Sequence, residues 1–315
     1  MGAAHVRTLR EQVPGCQVVA VFDADAQRAR EVAAGAATPE SATELIGSTD
    51  VDAVVICSPD FTHAELVLSC LEAEKPALCE KPLSLTVQES AALAEAESAL
   101  GRRLVQVGFM RRYDVGLSEL RDVVRRGELG EIRLVHLVHR NASSTTSTSS
   151  ANLITGSMIH ELDQMRWLLD DDIASIRVSS PLADGFQDPQ LAVVRMRSGI
   201  LVTVDVFVNA SYGYDVRCEL VGTKGAATSG ASAPVRTYRE GHEQVVVTPD
   251  FVVRFGEAYR KELIDWVLSA EAGGAGGASI WDGHLANVAA AAGVESLSTG
   301  EAIQVPPEQV PDLYR

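Results

Sequence analysis

The earliest residues that could do chemistry open the chain. MGAAHVRTL places Gly2 directly ahead of helix-forming residues, and the apolar run QVVAVF ends at Asp23, about 20 positions later. A dinucleotide site needs a glycine-rich turn, so that backbone amides at a helix N-terminus can approach a pyrophosphate. It also needs an acid further on to accept hydrogen bonds from the adenine ribose. Gly2 fits the third glycine of such a turn, and Asp23 fits the ribose acid. A carboxylate there repels a 2′-phosphate, so NAD is expected over NADP. The first strand and the first two glycines of the motif have no counterpart in the sequence. Either the chain starts late, through a misplaced start codon or a truncation, or it is a natural form with impaired cofactor binding.

A second group lies in HELDQMRWL, where His160 and Asp163 fall one helical turn apart on one face. HELD is not HExxH, and no second histidine lies four residues on, so zinc is not expected. His136 and His139 are three apart on a strand-like segment and point to opposite faces, which argues against a chelating pair. The five cysteines, Cys16, Cys57, Cys70, Cys79 and Cys218, are odd in number and lack CxxC spacing. That pattern suits reduced thiols in a cytoplasmic protein better than a disulfide framework. No metal is expected.

The elements that must position these residues follow from periodicity. Helices are expected at 3–12, 25–34, 62–74 and 86–100, alternating with near-continuous apolar runs of strand length at 17–22, 52–57, 76–79 and 104–107. Such alternation marks a parallel sheet covered on both faces, here a Rossmann-type dinucleotide-binding domain over residues 1–108 that lacks its first strand. Beyond it a helix near 115–126 and a strand at 131–140 lead to a Ser/Thr-rich loop at 142–150 and a helix at about 156–169. Strands follow at 173–179, 191–197, 200–208, 215–221 and 243–248, with Ser198-Gly199 where a two-residue hairpin turn would sit. Helices at about 254–270 and 282–298, joined by a Gly-rich loop at 272–278, close the chain. Residues 109–315 therefore read as an α+β domain with an open, mostly antiparallel sheet.

Composition narrows the partners. The 315 residues carry 27 Lys and Arg against 43 Asp and Glu, a net charge of −16. An acidic surface repels phosphate backbones and anionic lipid, so neither nucleic acid nor a membrane is an expected partner. No apolar run approaches the roughly 18 residues of a membrane span, and no leader pattern opens the chain.

The segment CEKPLSLT at 79–86, preceded by ICSPDFTHAE at 56–65, resembles the glucose–fructose oxidoreductase/inositol dehydrogenase (Gfo/Idh/MocA) family. The resemblance continues through RLVQVGFMRRYD, HLVHRN, HELDQMRWL and FVNASYGYDVRCELVG, and is greatest to the inositol 2-dehydrogenases. It implies reversible hydride transfer between NAD and a ring hydroxyl of a cyclitol or sugar. It also implies a homo-oligomer, a tetramer or dimer, assembled through the open sheets. By resemblance Lys81 and His160 are catalytic. A lysine held by Pro82 can stabilise a developing alkoxide, and a histidine suits proton release at neutral pH. Ser58, Pro59, His63 and Glu80 join Gly2, Asp23 and Lys81 around the cofactor by the same resemblance. Met110, Arg111, Asn141, Ser157, Asp163 and Tyr259 take the polyol.

Two positions depart from the family pattern. An aspartate four residues before the histidine would orient the imidazole, but Gly156 stands there and the neighbouring Ser157 is too short to replace it. Phe251 stands where related inositol enzymes tend to carry tryptophan. Two hypotheses follow: a dehydrogenase that works with Lys81 and His160, or a binding or scaffold homologue that has lost turnover.

Overall fold

Strands buried on both faces show no polar alternation, and β-branched or small apolar residues fill them. The computed structural model, which describes all residues except 145–148 and 231–235, contains such strands near its N-terminus. Here α1 (Gly2–Gln12), α2 (Ala26–Ala33) and α3 (Ala42–Gly47) precede β1 (Val54–Ile56), α4 (His63–Glu72), β2 (Ala77–Glu80), α5 (Val87–Leu100) and β3 (Val105–Gly108). The strands form a parallel sheet with β2 in the centre, in register Ile56 to Cys79 and Glu80 to Gly108. Every residue of β2 and β3 is buried. A capping box fixes the start of α5: Thr86 Oγ1 accepts from the Glu89 amide (3.2 Å), and the Glu89 carboxylate accepts from the Thr86 amide (3.0 Å).

One expected strand is missing from this sheet. Residues 17–22 make a single bridge, Ala20 to Ala37, with the Val21 amide donating to Ala37 O and the Ala37 amide to Val19 O, both at 2.9 Å. A strand needs a ladder along its length, and among the described residues the ladder here is that one bridge. Helix α3 was not anticipated.

The second part of the chain holds α6 (Val115–Arg125), β4 (Ile132–Arg140), α7 (Ser150–Asn152) and α8 (Ile159–Leu169). Next come β5 (Ile173–Ser179), β6 (Gln190–Met196), β7 (Leu201–Phe207), β8 (Asp215–Gly222), β9 (Ala226–Ser229), and the hairpin β10 (Arg236–Arg239) and β11 (His242–Val245). Two long helices, α9 (Phe251–Glu271) and α10 (Ile280–Thr299), precede the short β12 (Ile303–Gln304). A seven-stranded sheet runs in the order β12-β5-β6-β7-β4-β8-β9, and only the β4–β7 pair is parallel. Burial alternates strictly along β6, so one face of the sheet is covered and the other, with Leu191 and Val193, is open. The β6–β7 connection is a three-residue loop rather than a two-residue turn. The Met196 amide donates to Ile200 O at 2.9 Å, and Gly199 takes φ +93°, a left-handed position that favours glycine. Strands β9 and β10 also went unread in the sequence.

The chain divides into two compact units. The first comprises Met1–Met110, Tyr259–Asn287 and Glu308–Arg315; the second comprises Arg111–Ala258 and Val288–Pro307. C-terminal residues that the sequence assigned to the second domain thus belong to the first unit. The reason is apolar burial: Leu263, Trp266 and Val267 of α9 pack with Leu78 of β2 and with Leu9 and Val13 of α1. Replacing Leu263 with Ala is expected to lower stability by about 2–5 kcal/mol in chemical denaturation. A loss well under 1 kcal/mol would contradict this packing.

Candidate active site

Ligands of open parallel sheets bind beyond the carboxyl ends of the strands. In the first unit those ends carry Ser58 and Pro59 after β1, Glu80 and Lys81 at the end of β2, and Gly108 closing β3. The N-terminus of α1 has no side-chain cap and no acid in its first turn, which suits an anion. A Cβ on Gly2 would stand 3.7 Å from the Cys57 Cβ, so the first turn of α1 lies against the end of β1. Asp23 Oδ1 accepts from the Asp25 amide at 2.8 Å, while Oδ2 lies 3.4 Å from Arg28 Nη1. Its side chain is one-third exposed, which leaves it open to hydroxyl donors. These residues fit a dinucleotide.

Glu80 is buried and lies 2.8 Å from His5 Nε2. Burial pushes its carboxyl up, but the hydrogen bond and charge of His5, together with Lys81, outweigh that and hold it below its ordinary range. Gly108 makes room for it, because a Cβ there would stand 3.1 Å from Glu80 Oε2 and 3.2 Å from its Cα. The Lys81–Pro82 peptide is cis. His63, expected at the cofactor, is 1% exposed, and both ring nitrogens face main-chain carbonyls: Nδ1 at 2.6 Å from Pro82 O and Nε2 at 3.0 Å from Ser58 O. Its ring is committed to backbone, which corrects the expectation of direct contact. Tyr259 is likewise turned inward, with its ring edge-on to His5 at 5.5 Å. Met110 is buried at 2% exposure and packs in the core.

In the second unit His160 occupies the first turn of α8, a helix buried from Ile159 through Met165. The chain enters it through a π-helical turn, Leu153–Met158, that holds Gly156 and Ser157. A continuous α-helix from 156 was expected. π-turns cluster at functional sites, and here the wider turn changes the offset between residue 156 and His160. A Cβ on Gly156 would stand 3.4 Å from Asn152 Nδ2, so a side chain can be accommodated there.

Beside His160, Glu161 is fully buried and paired with Arg111. Arg111 Nη1 also donates to Gln164 Oε1 at 3.1 Å. His139 Nδ1 lies 3.2 Å from both Arg111 Nη2 and Glu161 Oε2, and the rings of His139 and His160 are 6.4 Å apart. Strand alternation delivers His139 to this buried face, while His136 points the other way, onto Thr203 Oγ1 at 2.7 Å. Burial pushes the Glu161 carboxyl up, yet the Arg111 charge and then His139 reverse this and hold it below the ordinary range. Burial raises the Tyr214 phenol beside them to about 12. Tyr214 also meets Phe251, the second position that departs from the family pattern, edge-on at 6.4 Å.

Arg111, expected at the polyol, is therefore a buried counter-charge, because a carboxylate in the core demands one. The arginine that reaches the expected substrate acid is its neighbour. Arg112 grips Asp163 through Nε (3.0 Å) and Nη2 (2.5 Å). Sequence reading missed Arg112, Glu161 and Asn152. The RRYD doublet, set against two acids two apart on one helix, was the available signal. Asn141 follows β4, and its buried Oδ1 has no hydrogen-bond partner among the described residues, a ready acceptor for a hydroxyl. Among the described residues no group of three or more His, Cys, Asp or Glu could hold a metal, and no helix is long and apolar enough to cross a membrane.

Because Glu161 has a lower pKa folded than unfolded, its stabilisation is full above the ordinary carboxylate range and is lost as pH falls through the folded value. Glu161→Gln should cost about 3–5 kcal/mol near neutral pH by stranding Arg111. It should also flatten the acid limb of a stability-against-pH curve. An unchanged acid limb would contradict the pairing.

Residues 1–109 match the model of an oxidoreductase family with an NAD-binding Rossmann fold, and 117–228 match the GFO/IDH/MocA C-terminal domain. Inositol 2-dehydrogenase 3 of Saccharopolyspora erythraea is 43% identical over 321 residues, covering 100% of this chain and 95% of the relative. Inositol 2-dehydrogenase of Rhodococcus erythropolis is 40% identical, covering 97% of this chain and 92% of its own length. Among solved structures, myo-inositol dehydrogenase from Lactobacillus casei, in complex with NAD(H) and myo-inositol, superposes with a TM-score of 0.95 at 31% identity, over 100% of this chain and 96% of that one. With its parallel nucleotide-binding sheet, its open mostly antiparallel sheet and these matches, the chain belongs to the GFO/IDH/MocA oxidoreductase family.

Proposed function

We propose that the chain is an NAD-dependent dehydrogenase that oxidises a ring hydroxyl of an inositol-like cyclitol, or a related sugar, reversibly to the ketone. The observation that carries this reading is Lys81. It follows the buried central strand β2, at the ligand-binding end of the sheet, directly after a carboxylate held anionic by His5. When bound, NAD supplies the hydride acceptor. The chain's own residues manage the proton and the developing charge. The Lys81 ammonium donates to the carbinol oxygen and stabilises its alkoxide character. His160 accepts the proton. Asn141 and Asp163 accept from ring hydroxyls, Asp163 in the orientation fixed by Arg112, while Ser157 lies in the π-helical turn that leads into His160.

Gly156 supplies no carboxylate toward His160, so turnover is slower than an acid at that position would allow. The open sheet face, with Leu134, Leu191 and Val193 exposed, supports assembly into a dimer or tetramer. Five free cysteines support a cytoplasmic setting.

Steady-state NADH formation with a panel of inositols and sugars tests the reading. At least one cyclitol should be oxidised, and Lys81→Ala should lower kcat about 10²-fold or more. A flat trace with every polyol, alongside measurable NAD binding, overturns it and leaves a binding protein. Gly156→Asp should raise kcat by about tenfold with KM little changed. No increase would show that this turn does not serve His160.

A further inference from the structure

We infer that His63 is a positioning residue that ties the Lys81 loop to the loop after β1, so that the two hold one geometry. It rests on the role given to Lys81 above. Strands β1 and β2 are parallel neighbours, with Ile56 beside Cys79, so the loops after them leave the sheet side by side. The first carries Ser58 and Pro59; the second carries Lys81 and Pro82. His63 opens α4, and its buried ring spans both, touching Ser58 O at 3.0 Å and Pro82 O at 2.6 Å. Both partners are carbonyl oxygens, which only accept, so a singly protonated ring donates to one of them and rests against the other, and a doubly protonated ring donates to both. No ring nitrogen is left to serve a ligand.

The contact matters because of where it falls. Pro82 O lies one residue past Lys81, so His63 fixes the backbone on the far side of the reacting lysine. A lysine carries its ammonium on a flexible four-carbon stem, and its placement depends on a fixed root. The other loop is itself tightened: Ser58 Oγ and Thr62 Oγ1 are 2.5 Å apart, and the Thr62 amide donates to Pro59 O at 2.8 Å. His63 is therefore fastened to a rigid turn on one side and to the Lys81 loop on the other. Loosening it should misplace the lysine without removing any group that touches the cofactor, so the loss should fall on kcat.

The test compares wild type, His63→Ala and His63→Gln by amide hydrogen exchange, with mass-spectrometric readout of residues 81–86 and 63–72, and by kinetics with NAD and a cyclitol that the wild type oxidises. The expected result is faster exchange in 81–86, with 63–72 within about twofold of wild type. For His63→Ala, kcat should fall about 10–100-fold while KM for NAD stays within about twofold. Glutamine, whose amide can donate to both carbonyls, should recover much of both. Unchanged exchange in 81–86, or a loss of protection confined to 63–72, overturns the inference and makes His63 a packing residue of α4. The exchange arm does not depend on the chemistry of Lys81. If Lys81→Ala keeps full turnover, the role of Lys81 fails, while exchange still decides whether His63 holds the loop.

Discussion

A carboxylate removed from water must be matched by a positive charge or donor, and each unit of this protein is organised around one such match. In the second unit Glu161 and Arg111 bury each other, with His139 and Gln164 completing the hydrogen bonds. In the first, buried Glu80 is hydrogen-bonded to His5. Both acids are held below the ordinary carboxylate range despite burial, so the partners outweigh desolvation. Removing one partner of such a pair costs far more than the pair contributes, because the other charge is left stranded. The geometry around each pair is therefore strongly specified.

Each pair also stands one residue from a group assigned to chemistry: Glu80 precedes Lys81, and Glu161 follows His160. A buried, hydrogen-bonded neighbour fixes the backbone from which the reactive side chain projects. This is the preorganisation that electrostatic catalysis requires. The same packing leaves little room at Gly108, where a Cβ would stand 3.1 Å from Glu80 Oε2 and 3.2 Å from its Cα. Gly156 differs. Nothing at that position excludes a side chain, and the nearest atom a Cβ would meet there is the Asn152 carboxamide nitrogen at 3.4 Å. Its glycine is a chemical departure rather than a steric requirement.

Much of this was legible in the sequence. Near-continuous apolar runs for the buried parallel strands and apolar periodicity for the helices are local signals, and they placed most elements within a few residues. The residues 17–22 read as a strand because composition sets apolar character, whereas a ladder depends on what lies alongside. The return of α9 to the first unit depends on Leu263 and Trp266 meeting Leu78, a contact between residues far apart in the chain. Arg111 and Arg112 were indistinguishable as letters. Which one enters the core is decided by the acids on α8, two residues apart, that face them. His63 was placed near the right loops but given the wrong task, because a motif marks a neighbourhood and not the atoms its ring will meet.

The central claim is that a hydride leaves a ring carbon of a cyclitol. Turnover of an inositol carrying deuterium at every ring carbon, with mass analysis of the reduced cofactor, addresses it directly. The account predicts one deuterium on the nicotinamide ring for each ketone formed, together with a slower rate than for the unlabelled compound. Reduced cofactor without label, or ketone formed without reduced cofactor, would contradict it.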